Sequence, residues 1–121
     1  MYNKVKVWLE EVLKQDIPKE VVGFCFNLYE DGDYDWSMEL VGTERFDEHD
    51  EDWPCDEITD FNTRTKPLTW NEASEWDSVL EEISSVLKEY LEKGNYADVL
   101  KRRAGVGVGF VDGDVEILYV K

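Results

Sequence analysis

Eight carboxylates crowd into the fourteen positions from Asp47 to Asp60: Asp47, Glu48, Asp50, Glu51, Asp52, Asp56, Glu57 and Asp60. Acids at that density can ligate a metal ion, hold the proton of an acid–base reaction, or make a field that draws in a basic surface. A calcium loop needs oxygen ligands at fixed intervals. Asp31, Asp33 and Asp35 have the opening one-three-five spacing, but Trp36 stands where the loop needs glycine and Gly42 where it needs a bidentate glutamate. Asp112, Asp114 and Glu116 repeat the spacing without further ligands. Acid–base catalysis needs a base poised near neutrality, and the only histidine, His49, is set among Asp47, Glu48, Asp50 and Glu51, a poor place for a neutral one. Cys25 and Cys55 lack zinc-ligand spacing, and no nucleophile motif joins either to His49. The glycines of Gly105-Val-Gly-Val-Gly109 follow a helical segment and enter an apolar strand, the reverse of the order in a phosphate-binding loop. No metal, cofactor or enzymatic activity is therefore expected, and the docking surface is the use that fits.

The charge distribution sharpens that expectation. Between Glu30 and Asp60 fourteen acids meet one base, Arg45, so a quarter of the chain carries −13 of the net −16. A concentrated field of this sign attracts basic proteins and repels phosphate backbones, so direct nucleic-acid binding is not expected. The eight carboxylates and Trp53 form the candidate partner-binding set, in which the acids steer a basic partner and Trp53 anchors it. This reading requires the acids to face outward; Arg64, Lys66, Arg102 and Arg103 folded over them, with Trp53 sunk in the core, would undo it. One alternative is a DNA mimic, which would need carboxylates at phosphate-like intervals along an extended face. The other, a metal-dependent or thiol enzyme, would need a bound ion or Cys55 and His49 in one pocket.

The elements that must position these residues follow from apolar periodicity. Val5, Trp8, Leu9, Val12 and Leu13 recur at helical spacing and predict a helix from Asn3, its cap, to about Gln15. Val22, Phe24, Phe26 and Leu28, then Tyr34, Trp36, Met38 and Leu40, alternate at period two around Glu30-Asp31-Gly32-Asp33 and predict a hairpin. Residues 43–68 lack a regular pattern. Thr69-Trp70-Asn71-Glu72 reads as a capping box for a long amphipathic helix that buries Trp76, Val79, Leu80, Ile83, Val86, Leu87, Tyr90 and Leu91 and ends at Gly94. A short helix spans Tyr96 to about Arg103. A second hairpin turns at Asp112-Gly113 in a type I′ turn, with Val106 opposite Tyr119, Val108 opposite Ile117 and Phe110 opposite Val115. Its reverse face, with Gly107 and Gly109, leaves a strip where another element approaches the backbone, most simply one of the protein's own helices.

Together these predict an α+β fold over 1–121 as one domain: an antiparallel sheet of at least four strands, two from each hairpin, packed against two or three helices with the long amphipathic one central. No membrane span or signal peptide is read in the sequence, so a cytoplasmic protein is expected, with Cys25 and Cys55 as free thiols and a monomer or weak homodimer as its state.

The hairpin FCFNLYEDGDYDW, the acidic connector DEHDEDWPCDE, the helix WNEASEWDSVLEEISSVLKEYL and the small α+β layout resemble the acidic immunity proteins of bacterial toxin systems. Those are cytosolic antidotes that bind and occlude a secreted toxin domain, often a nuclease with a basic active site. The resemblance implies stoichiometric inhibition of a basic toxin domain and assigns no site residue of its own.

Overall fold

A computed structural model describes residues 1–121, apart from the side chains of Thr59 and Asp60. In chain order it contains α1 (Tyr2–Val12), β1 (Gly23–Gly32), β2 (Asp35–Thr43), a 3-10 turn (Trp53–Cys55), β3 (Glu57–Asn62), β4 (Leu68–Asn71), α2 (Trp76–Lys93), α3 (Ala97–Lys101), β5 (Gly105–Phe110) and β6 (Glu116–Val120). The fold is α+β. Six strands make one sheet in the order β3-β2-β1-β5-β6, with β4 also on β2. Both hairpins form, and they meet along β1 and β5, which run parallel, so the sheet is mixed at that one seam. A parallel join needs a long crossover, here everything from β2 to α3.

Strand alternation divides the side chains between two layers. On the helix side, Phe24, Phe26 and Leu28 of β1, Trp36, Met38 and Leu40 of β2, and Val106 and Val108 of β5 pack beneath Val5 and Leu9 of α1 and Val79, Ile83, Leu87 and Tyr90 of α2. On the reverse side a smaller cluster forms around Cys25, Val41 and Trp53, with Phe46, Val115 and Ile117 against it. Among the described residues no helix is long and apolar enough to cross a membrane.

The patternless stretch 43–68 is built onto the outer edge of β2. β3 pairs with the end of that strand (Val41 with Asn62, Thr43 with Glu57) and β4 with its beginning (Asp35 with Asn71 to Met38 with Leu68). Between them Thr63 holds the gap: Leu40 N–H donates to Thr63 Oγ1 at 2.9 Å, and Thr63 N–H donates to Leu40 O at 3.1 Å. Pro67, which has no N–H to give to a ladder, falls where the pairing is interrupted.

Four local expectations are corrected. Thr69-Trp70-Asn71-Glu72 is not a capping box. Leu68 and Trp70 are buried while Thr69 and Asn71 are exposed, a period-two pattern that the free edge of β2 captures as β4. The helix consequently starts at Trp76, which lies outside the buried face at 56% exposure. Second, the pair of positive-φ residues that a type I′ turn requires occurs at Asp33 and Tyr34, between the paired Gly32 and Asp35, and not at Asp112-Gly113. Third, β6 carries a bulge: Val106 faces Tyr119 as expected, but Gly107 then faces Ile117 and Val108 faces Glu116. The slip sends Ile117 to the reverse cluster and brings Glu116 to the helix side, where Ser84 Oγ donates to its carboxylate at 3.0 Å. Fourth, α1 is capped at Met1, not Asn3, and ends at Val12.

Candidate protein interaction surface

The acidic connector leaves β2 at Thr43, whose hydroxyl donates to Arg45 O at 2.8 Å. Arg45 then becomes the organiser of the segment. Its Nη1 lies 2.6 Å from Asp50 Oδ2 and its Nε bonds Asp56, so one guanidinium ties the two ends of the loop together. Backbone bonds follow the same path: Asp50 N–H to Asp47 O at 3.1 Å, Asp52 N–H to Asp50 Oδ1 at 2.8 Å, Cys55 N–H to Asp52 O at 3.0 Å, and Glu44 N–H to Asp56 O at 2.8 Å. The Asp52 amide and Arg45 hold the Asp50 carboxyl below the usual aspartate range, and Asp50 and Asp56 raise Arg45 in turn.

The 3-10 turn that ends this loop drives Trp53 inward. Trp53 is 0% exposed and meets Phe46 edge-to-face at 4.7 Å between ring centroids. Its ring fills the space above Gly107, where a Cβ would lie 2.8 Å from Trp53 Cζ2, and Phe46 occupies the corresponding space above Gly105. The acidic connector therefore covers Gly105 and, with Val115, Gly107, in place of the helix expected there, while Gly109 is approached by the backbone of Asp114 and Val115. Trp53 is not an anchor for another molecule; it is the plug that fastens the connector to the sheet. Its Nε1 has no hydrogen-bond partner among the described groups.

The eight expected site carboxylates separate into groups. Asp50 and Asp56 are taken by Arg45, and Glu57 by Arg64. Asp47, Glu48, Glu51 and Asp52 face outward. Asp47 Oδ1 accepts the His49 amide at 2.9 Å, and Glu48 lies 3.9 Å from His49 Nε2. The side chain of Asp60 lies outside the described residues. Of the four cations that could have closed over the segment only Arg64 does so. Lys66 pairs with Glu11 at 2.7 Å, Arg103 reaches Pro18 O at 3.3 Å, and Arg102 offers its carbonyl to Lys121.

Sequence reasoning missed Arg45 as a structural clamp. Its signal was its isolation, a single base in the middle of fourteen acids. It also missed Glu39, which β2 places opposite Asn27 on the reverse face at 3% exposure. Tyr29 Oη donates to its carboxylate, and Arg64 Nε lies 3.1 Å away while its other arm holds Glu57. Burial and the Glu39 bond push the Tyr29 phenol up to about 12, and burial followed by the Glu39 charge pushes the Cys25 thiol up to about 12. Cys25 is thus held as a neutral thiol, the opposite of an activated nucleophile. Both cysteines are free, and the groove that His49 lines contains neither. Among the described residues no group of three or more His, Cys, Asp and Glu side chains converges on a point where a metal could sit. Comparison of the chain with protein-family models, curated proteins and solved structures returns no match.

Proposed function

We propose that this chain is a cytoplasmic, non-catalytic docking module that binds a basic protein and occludes it, in the way an immunity protein neutralises a toxin domain. The observation that carries the reading is the clamp-and-plug construction of the connector. Arg45 and Trp53 fix its backbone, so Asp47, Glu48, Glu51 and Asp52 project from a segment already ordered before any partner arrives. Ordering a charged loop on binding would subtract from affinity, and a prefixed one avoids that loss. Four outward carboxylates on a chain of net charge −16 raise the encounter rate with a basic surface, and the repulsion among them is relieved when that surface arrives.

The test needs a partner chosen on grounds of chemistry. A gene beside this one that encodes a large secreted toxin would supply it, as the purified basic C-terminal domain of that toxin. With Asp47, Glu48, Glu51 and Asp52 replaced together by their amides, the association rate constant at low salt is expected to fall by roughly tenfold or more, and its dependence on ionic strength to flatten. An association rate that the four replacements leave unchanged would overturn the reading.

A further inference from the structure

At the far end of the sheet from the connector, β1, the start of α2 and the end of β5 enclose a groove of about 510 Å³ lined by Leu28, Tyr29, Glu30, Trp76, Phe110 and Asp112, among others. A line of aromatic rings runs from the core to its wall: Trp36, buried behind the groove, stands 5.9 Å from Phe110, and Phe110 stands 6.1 Å from Trp76 with the two planes at 89°. Trp76 is 56% exposed and its neighbour across the groove, Val111, is 54% exposed. A tryptophan set perpendicular to a phenylalanine and more than half exposed is an unusual use of a large apolar group at the first turn of a helix. Among the described residues nothing covers the exposed part.

The charge around the groove identifies what could. Glu30 and Asp112 line it, and Asp31, Asp77 and Asp114 are exposed close by in sequence. None of these five is in an ion pair among the described residues. The three segments that build this end of the fold, residues 28–37, 69–82 and 109–116, carry twelve carboxylates and no lysine or arginine. The connector's acids have two arginines of their own, whereas these have none.

We propose that this groove is a recognition subsite for an arginine side chain of a basic polypeptide, with the guanidinium plane laid on Trp76 and its N–H groups donating to Glu30 and Asp112. An aromatic face attracts a cation through its quadrupole, and flanking carboxylates accept the planar N–H fork. Arginine fits better than lysine because it both stacks and bonds at fixed geometry. The inference deepens the docking reading by naming a second contact, and it is separable from that reading. The groove lies at the Glu30 end of β1 and the connector at the Gly23 end, seven residues or roughly 23 Å of strand away.

The probe is the peptide acetyl-Gly-Arg-Arg-Gly-amide, titrated at low salt into the ¹⁵N-labelled protein, with the citrulline peptide as its neutral isostere. The expected result is a progressive shift of the Trp76 indole N–H resonance with the arginine peptide and little movement with citrulline. The double variant Glu30→Gln, Asp112→Asn is expected to weaken binding by roughly tenfold, and Trp76→Ala to weaken it by a similar factor while the other four indole resonances keep their positions. Equal binding of the citrulline peptide would overturn the proposal. So would shifts confined to residues 47–52 with Trp76 unmoved, an outcome that would leave the connector as a cation surface and remove only the groove.

Discussion

The two ends of the sheet use the same residue types in opposite ways. At the connector end, where Gly23, Thr43 and Gly105 lie, the carboxylates have arginines: Arg45 takes Asp50 and Asp56, Arg64 takes Glu57 and Glu39, and the local tryptophan, Trp53, is fully buried. At the hairpin-tip end, around Tyr34, Glu72 and Trp76, the acids have no arginine, and of the three tryptophans there Trp36 and Trp70 are buried under the helices while Trp76, on the acidic rim, is 56% exposed. The difference comes from the position of two bases. An acidic loop with a cation inside it can fold back and press its aromatic residue onto the sheet, because the guanidinium offsets the repulsion among the carboxylates it gathers. The acidic rim of the tip has no such clamp, and Trp76 stays where the strand and helix ends leave it. A residue's chemical type therefore says less about whether it faces a partner than does the nearest opposite charge.

The largest expected effect separates the two tryptophans. Trp53→Ala empties a closed site between Phe46, Cys25 and Val41, and a loss of about 3–5 kcal/mol is expected by urea unfolding. Trp76→Ala removes a ring that is more than half exposed, and a change within about 0.5 kcal/mol is expected in the same measurement. If the two losses were of equal size, the contrast between plug and open face would collapse.

The glycines test the same contrast on a smaller scale. At Gly105 an added methyl would run into the Phe46 ring, and at Gly107 it would approach Trp53 and Val115 at 2.8 and 2.9 Å. Either alanine substitution is expected to destabilise by about 1–3 kcal/mol through overpacking, and to loosen the connector as seen by faster amide exchange of residues 44–56. Gly113, at the other end of β5, has its nearest atoms at 3.8 Å and no positive φ, so Gly113→Ala is expected to be close to neutral. A Gly113→Ala loss matching that of Gly105→Ala would mean that the tip is packed as tightly as the connector.

How much of this could be read in the chain differs from element to element for physical reasons. Both hairpins and the long helix were legible, because a strand or helix buried on one face must repeat its apolar residues at the period of its own backbone. β4 was not, since Leu68-Thr69-Trp70-Asn71 satisfies a helix-cap pattern as well as a strand pattern, and only the vacant edge of β2 decides between them. The exposure of Trp76 follows from that same ambiguity: with the helix starting later, the residue moves from its buried stripe to its first turn. Of the candidate site, the exposure of Asp47, Glu48, Glu51 and Asp52 is what a run of charge in a loop suggests, whereas the burial of Trp53 depended on Gly107 and Gly105 being free to receive aromatic rings from some fifty residues away. Charge counting treats Arg45 as one unit against fourteen, but in the fold its two bonds set the path of the loop.

The smallest expected effect is a pH dependence of opposite sign at the two ends. Asp50, at the connector, is held below the usual aspartate range, so the folded state binds its proton less readily than the unfolded chain. Its contribution to stability is present above the unfolded value of about 3.9 and is lost as pH falls through the lower folded value. Glu82, on α2, is shifted upward, first by burial and then by Glu72, whose backbone carbonyl also accepts the Trp36 indole. Its Oε1 is closed off from solvent without a partner when both acids are ionised, and a bond to Glu72 can form only if one of the two carboxyls carries a proton. The folded state therefore binds this proton more tightly than the unfolded chain, and stability declines as pH rises from the ordinary glutamate range, about 4.3, through the raised folded value. Glu82→Gln supplies a permanent donor at that position. It is expected to raise the urea midpoint at pH 7 and to leave it nearly unchanged at pH 4, where the native carboxyl is already protonated. A lowered midpoint at pH 7 would instead show that the fold favours the ionised carboxylate at this position and that the upward shift has the wrong sign.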